Sequence, residues 1–306
     1  MKYHWHIIFP VLFFSILLSS NIIAQETRSF DIINYPSVPD TYCNLPDKVD
    51  ETSGLIYLNG FVWTFNDSGG EPEIYKIDNK SGKIIQTVRI TNGGNFDWED
   101  ITHDDDFIYI GDFGNNWGTR KDLKIYKIAI NDITDKKKVQ LEAEIIEFSY
   151  TDQVSFKKNN RGHDYDCESV INYQDSLIIF SKNWGNGRTR MYKLPKTPGN
   201  YKIAPINSFN ADGLVTGASY NKETGELVLI GYKDYVPFIY CFSEFDGNNF
   251  KNGNAYRINM VKMKGSQTEG IVWYDNDNIL ISTEQKKEFD QKVYKLQIKD
   301  IIKSVE

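Results

Sequence analysis

The chain has 306 residues, with 35 Lys and Arg against 42 Asp and Glu for a formal charge of −7, 14% aromatic residues and three cysteines. That acidic balance excludes a general nucleic-acid binder, which presents a basic face. Cys43, Cys167 and Cys241 cannot all pair and lack paired-Cys zinc spacing, so they are expected as buried thiols acting as small hydrophobes.

In chain order, residues 1–24 read as a secretory signal peptide. Lys2 is followed by the nearly apolar run Ile7 to Leu18, and Ile22-Ile23-Ala24 puts a small residue before Gln25. The run is shorter than the ~20 residues of a spanning helix. Residues 25–306 are then expected to be a single secreted or periplasmic domain with no transmembrane span. Losing Lys2 takes its charge from −7 to −8.

Ser29 to Tyr35 alternates apolar and polar residues and is expected to supply the outer strand that closes the last repeat. A phrase apolar-Tyr-Lys-apolar then recurs at Tyr75, Tyr126, Tyr192 and Tyr294, with a degenerate copy at Tyr240. Its period of roughly 50 residues is that of a repeat architecture. Each copy follows a short β-branched or aromatic run: Val62 to Phe65, Ile108 to Ile110, Leu177 to Phe180, Leu227 to Ile230 and Ile279 to Ile281. Before each run stands a phrase carrying Ser, Glu or Gly, and after most copies a fourth segment such as Lys83 to Val88 or Glu144 to Phe148. Gly- and Asn-bearing turns such as Asp78 to Lys83 and Asn221 to Glu226 predict antiparallel hairpins. The pattern predicts an all-β chain, a β-propeller of four-stranded antiparallel blades, with five blades expected and six as the alternative.

In such a blade the start of strand one and the end of strand two share one rim. The first position holds Ser53, Glu99, Glu168, Gly217 and Glu269; the second holds Asp67, Asp112, Asn183, Asp234 and Glu284. Carboxylates converging on one axis repel unless a cation neutralises them. Calcium, which takes hard oxygen ligands, is the expected ion, with Asp67, Glu99, Asp112, Glu168 and Glu269 as its ligands. Turn chemistry explains Asp and Asn after a strand, but not Glu three times at one place.

Two loops on the same rim repeat Asn-Trp-Gly followed by Arg: Asn116-Trp117-Gly118-Thr119-Arg120 and Asn183-Trp184-Gly185-Asn186-Gly187-Arg188. Trp117, Arg120, Asn183, Trp184 and Arg188 either bind a sugar ring or anionic group, or serve blade packing and surface ion pairs. Glu168 and His163 are the residues available for general base chemistry. Nucleophile-elbow, zinc-helix and phosphate-loop motifs are missing.

The phrases Glu51-Thr52-Ser53-Gly54-Leu55, Trp63 to Gly69, Asp97 to Ile101, Tyr109 to Asn116 and Thr268 to Ile271 resemble exported bacterial propellers related to the phytase-like esterase and SdiA-regulated propeller families. The resemblance implies a propeller, often of six blades, and in some relatives calcium-dependent phosphoester or ester hydrolysis. The chain departs from it in lacking a full set of phytase calcium and phosphate ligands, and in having Gly217 where relatives often carry an acid. Two functions follow as expectations: an exported module binding a glycan or small anionic ligand beside calcium, or a calcium-dependent hydrolase.

Overall fold

A computed structural model of the protein describes residues 1, 30–286 and 288–305. The expected signal peptide, Met1 apart, lies outside the described residues. Two strands, β1 (Asp31–Tyr35) and β2 (Asp40–Asn44), precede five repeated units. Blade one is β3 (Thr52–Leu58), β4 (Phe61–Asn66), β5 (Glu73–Ile77) and β6 (Ile84–Ile90). Blade two is β7 (Trp98–His103), β8 (Phe107–Asp112) and β9 (Lys124–Ala129), with β11 (Glu144–Tyr150) outermost after an intervening β10 (Lys138–Leu141). Blade three is β12 (Asp166–Tyr173), β13 (Ser176–Lys182) and β14 (Arg188–Pro195), with β16 (Pro205–Asn210) outermost after an intervening β15 (Gly199–Ile203). Blade four is β17 (Leu214–Asn221), β18 (Glu226–Lys233), β19 (Val236–Ser243) and β20 (Asn254–Met260). Blade five is β21 (Thr268–Trp273), β22 (Asn278–Thr283) and β23 (Lys292–Gln297), ending in the short helix α1 (Ile298–Lys303).

The five-bladed, all-β expectation holds. The Tyr-Lys phrase is strand three of every blade, and strand alternation explains both residues. The tyrosines Tyr75, Tyr126, Tyr192, Tyr240 and Tyr294 are buried between blades. The lysines face outward, and three of them lie over an aromatic ring: Lys76 over Phe61 at 4.1 Å and Lys127 over Phe107 at 3.9 Å, both at the start of strand two, and Lys295 over Tyr274, just after strand one, at 4.4 Å. Apolar clusters fill the spaces between neighbouring blades, so each blade is stabilised chiefly by the next. All three cysteines are free and buried, as expected.

One expectation is corrected. The segment expected to close the last blade, of which Ser29 lies outside the described residues, does not do so: β1 runs parallel to β20, on the outer edge of blade four. Closure falls to β2, antiparallel to β23. β10 and β15 repeat the device, each running parallel to the outer strand of the preceding blade. The apolar alternation of Ile33 and Tyr35 identifies a strand but not its partner.

Every inner strand carries a β-bulge at the same level. Register shifts fall between Thr52 and Leu55, Trp98 and Asp100, Cys167 and Ser169, Val215 and Gly217, and Thr268 and Ile271. A bulge sets two residues against one and re-aims a side chain. The residues so turned are Ser53, Glu99, Glu168, Thr216 and Glu269. Thr216 therefore takes the fourth-blade place that Gly217 was expected to hold. The following residues meet where inner strands crowd the axis: a Cβ on Gly217 would lie 2.3 Å from Glu269 O, and one on Gly270 2.4 Å from Ser53 O. Asp100, fully buried, accepts hydrogen bonds there from Val170 N and Ile101 N at 2.9 and 2.8 Å, tying blade two to blade three.

Candidate axial binding site

The bulges open onto a cavity of about 540 Å³ at the rim end of the axis, lined by Asp67, Glu99, Glu168 and Glu269 together with Lys182, Arg161, Trp184 and Tyr232. On the side of blades one and two, one carboxylate oxygen each from Asp67, Asp97 and Glu99 lies within 4.8 Å of the others. That span equals two calcium–oxygen bonds of about 2.4 Å, so one ion can touch all three. The cluster is built by strand geometry: Asp97 and Glu99 flank Trp98, whose ring turns into the core beside Phe65. Gly114 packs directly on both carboxylates, and a Cβ there would lie 2.0 Å from Glu99 Oε1. Asn95 Nδ2 donates to Asn66 O and Asp67 O, both at 2.8 Å, and fixes the turn that presents Asp67.

On the side of blades three and four, Lys182 Nζ donates to Glu168 Oε2 at 3.0 Å, with both side chains buried. Among the described residues, Glu168 Oε1 is buried with no hydrogen-bond partner. Lys182 also lies 4.8 Å from the Trp184 ring and 5.6 Å from that of Tyr232. Trp184 is fixed by its Nε1 donating to Asp166 Oδ2 at 2.7 Å.

Burial, reinforced by neighbouring carboxylates, shifts these acids upward. Asp67 is pushed up to about 6 and Asp97 to about 7. Glu269 rises to about 7 and Glu284, behind it, to about 9. Glu99 is raised well above the carboxylate range by burial and then by Glu168, Asp67, Asp97 and Asp166. Burial opposes the Lys182 charge, but Glu168, Tyr232, Glu269 and Asp166 together hold the ammonium well above its ordinary value.

Several expected site residues stand elsewhere. Asp112 is fully buried and paired with Arg120 at 2.9 Å. Its remaining capacity goes to Asp97 N and Tyr126 Oη, so it braces the loop and does not reach the Asp67, Asp97 and Glu99 cluster. Arg120 also donates to Gly114 O and Asp112 O, which leaves it a loop clamp. Asn183 is turned away from the cavity, accepting from Ser181 Oγ at 2.6 Å, while Lys182 one residue earlier faces it. Arg188 donates to Ser208 on the outer strand at 3.2 Å. His163 is engaged by its own loop: its Nδ1 accepts from Tyr165 N at 3.1 Å and its Nε2 contacts Asn116 O at 3.2 Å. Asp234 lies in the β18–β19 turn with φ 51°, beyond the rim, and Tyr235 beside it lines the mouth.

Asp97, Lys182, Arg161 and Tyr232 are the site residues that sequence reasoning missed. Asp97 carried a signal, since it stands two residues before Glu99 and strand alternation gives both one face. Lys182 is the strand-end residue paired with Asp166, but the repeated Asn-Trp-Gly phrase beside it points to Asn183.

The site and fold define the class: a five-bladed propeller with an acidic axial cavity. No family model and no curated protein matches the chain. In fold it is similar to a PQQ-bound aldose sugar dehydrogenase from Streptomyces coelicolor, at 11% identity and a TM-score of 0.51, over 85% of this chain and 97% of that one. A putative oxidoreductase (glucose dehydrogenase) from Thermus thermophilus matches at 10% identity and a TM-score of 0.46, over 85% of this chain and 99% of that one. At such identity the likeness bears on the fold alone. Among the described residues, no helix is long and apolar enough to cross a membrane.

Proposed function

We propose that the protein, acting outside the cytoplasm, binds a sugar or other small hydroxylated, anionic ligand in the axial cavity against a calcium ion held by Asp67, Asp97 and Glu99. The observation that carries this is the meeting of three carboxylate oxygens within 4.8 Å, at a cavity that also presents Lys182 and Trp184. The donor set is hard oxygen, which suits calcium and not zinc or copper. The upward shifts of Asp67, Asp97 and Glu99 mark charges that a cation would relieve. Asp112, reserved by Arg120, is not in the ligand set; Glu168 and Glu269 line the same cavity and complete the acidic wall.

Calcium at ~100 times its dissociation constant stabilises the native state by about 2.7 kcal/mol. At roughly 2 °C per kcal/mol for a domain of this size, the metal-stripped protein is expected to melt about 5 °C higher when calcium is restored. Glu99→Gln should lose that response. Identical melting curves with chelator and with excess calcium would refute the cation site.

One observation favours a second reading, a calcium-dependent phosphoester or ester hydrolase. Glu168 Oε1 is buried beside Lys182 without a partner among the described residues, and a carboxylate oxygen so placed can accept a proton from water. Turnover of phosphate monoesters, carboxylic esters or lactones that requires calcium and disappears in Glu168→Gln would establish the hydrolase. Calcium-dependent ligand binding without turnover would establish the binding module.

A further inference from the structure

Two loops on the cavity side of blades two and three are stitched into one surface. Asn159 N donates to Trp117 O and Arg161 N to Asn116 O, both at 3.0 Å, and Gln153 Nε2 donates to Gly118 O at 3.1 Å. Lys121, Lys157, Lys158 and Arg161 all stand exposed on it. The nearby carboxylates are already taken, Asp122 by Arg120 and both Asp152 and Asp164 by Arg190. On a chain of formal charge −7, this is a local patch of cations without ion-pair partners among the described residues.

Three of these cations lie over aromatic rings. Lys158 Nζ is 3.8 Å from the Trp117 ring centre, Lys121 Nζ 4.8 Å from that of Phe156, and Arg161 Cζ 4.7 Å from that of Trp184. Trp117 remains 45% exposed. Arg161 is held at φ 54°, a left-handed backbone that non-glycine residues rarely adopt, and it also lines the axial cavity.

We propose that this surface binds an acidic glycan, a polymer whose sugar rings carry carboxylate or sulfate groups. The exposed Trp117 ring offers an apolar surface to a sugar ring, and the cations over it and its neighbours take the anions. Each ring here has its own cation within 5 Å, as a uronic acid has its own carboxylate on one sugar. The platform is continuous with the cavity through Arg161, so one end of the polymer reaches the axial site. This deepens the proposed function by naming the ligand class, and rests on it only for that end of the chain.

Affinity electrophoresis of the full protein tests it, with polygalacturonate, chondroitin sulfate or neutral dextran cast in the gel and phosphatidylglycerol vesicles assayed in parallel. Retardation by one or both acidic polymers, weakening with salt, and none by dextran is expected. The two acidic arms distinguish carboxylate from sulfate. Lys121→Gln with Lys158→Gln should weaken retention about tenfold, and Trp117→Ala similarly, at unchanged melting temperature. Lys136→Gln, an exposed lysine outside the platform, should be retained like wild type, and retention should persist in chelator, which separates this surface from the calcium site. No retardation at low salt, unchanged retention in the loop variants, binding to vesicles alone, or loss of retention in chelator would each overturn the proposal.

Discussion

Lys182 neutralises an otherwise acidic wall, and its removal would leave Glu168 buried at 2% exposure without a counter-charge. Breaking one side of such a pair costs about 3–5 kcal/mol, whereas replacing both partners costs far less. Lys182→Met is therefore expected to lower stability by that amount in urea titration, and Lys182→Met with Glu168→Gln to recover most of it. A double variant as unstable as the single one would show that Lys182 acts through packing on Trp184 and Tyr232 instead. The acids have the opposite signature. Asp67 at about 6, and Asp97 and Glu269 at about 7, hold their protons more tightly in the native state than unfolded carboxyls, which titrate near ~4. Their contribution is fully present below that value and is lost as pH rises through 6 to 7. The metal-free protein should thus melt progressively lower between about pH 5 and pH 8, and calcium should flatten the decline. A metal-free melting temperature that rises over that interval would contradict the burial of these groups.

At the level of elements, the repeated bulge does what no single residue does: it turns Ser53, Glu99, Glu168, Thr216 and Glu269 toward the axis while apolar neighbours keep their faces. The following glycines exist because inner strands approach too closely for a side chain. Gly270→Ala would set a Cβ 2.4 Å from Ser53 O and 2.6 Å from Ser282 Oγ, and is expected to cost about 2–3 kcal/mol in denaturant unfolding. Gly70→Ala, whose nearest neighbour would be 3.4 Å away, should stay within about 0.5 kcal/mol of wild type. Equal costs would remove the close approach as the reason for the Ser-Gly-Leu and Glu-Gly-Ile phrases. The repeat, the strand order and the convergence of Glu99, Glu168 and Glu269 on one rim were legible because they depend on period and alternation. Bulge register was not, since an inserted residue changes facing without changing composition; hence Gly217 stood for Thr216. Arg188 and His163 turn to protein partners for another reason: whether a loop side chain faces a ligand or its own scaffold depends on contacts 20 and 47 residues away in sequence, with Ser208 and Asn116 respectively.

For the molecule as a whole, the ring is closed by a strand from the other end of the chain. β2 lies antiparallel to β23 and completes blade five, with Cys43 and Leu45 buried in the cluster between blades five and one. β1 adds a parallel fifth strand to blade four, where Ile32 stays 63% exposed and Ile33 and Tyr35 are half-buried. The two strands are adjacent in sequence but unequal in consequence. Removing the chain through Tyr35 leaves the ring closed and uncovers only the β20 edge. Removing it through Asn44 leaves the outer edge of β23 unpaired, and an open edge on a propeller is also a template for association. The longer truncation is expected to lower the melting temperature at least about twice as far as the shorter one, and to shift the protein toward higher oligomers on size-exclusion chromatography. Supplying a peptide spanning 38–46 should restore the monomer if the clasp is the cause. Equal destabilisation by the two truncations, or a monomeric and equally stable protein after the longer one, would mean that the blades hold the ring without their N-terminal strand.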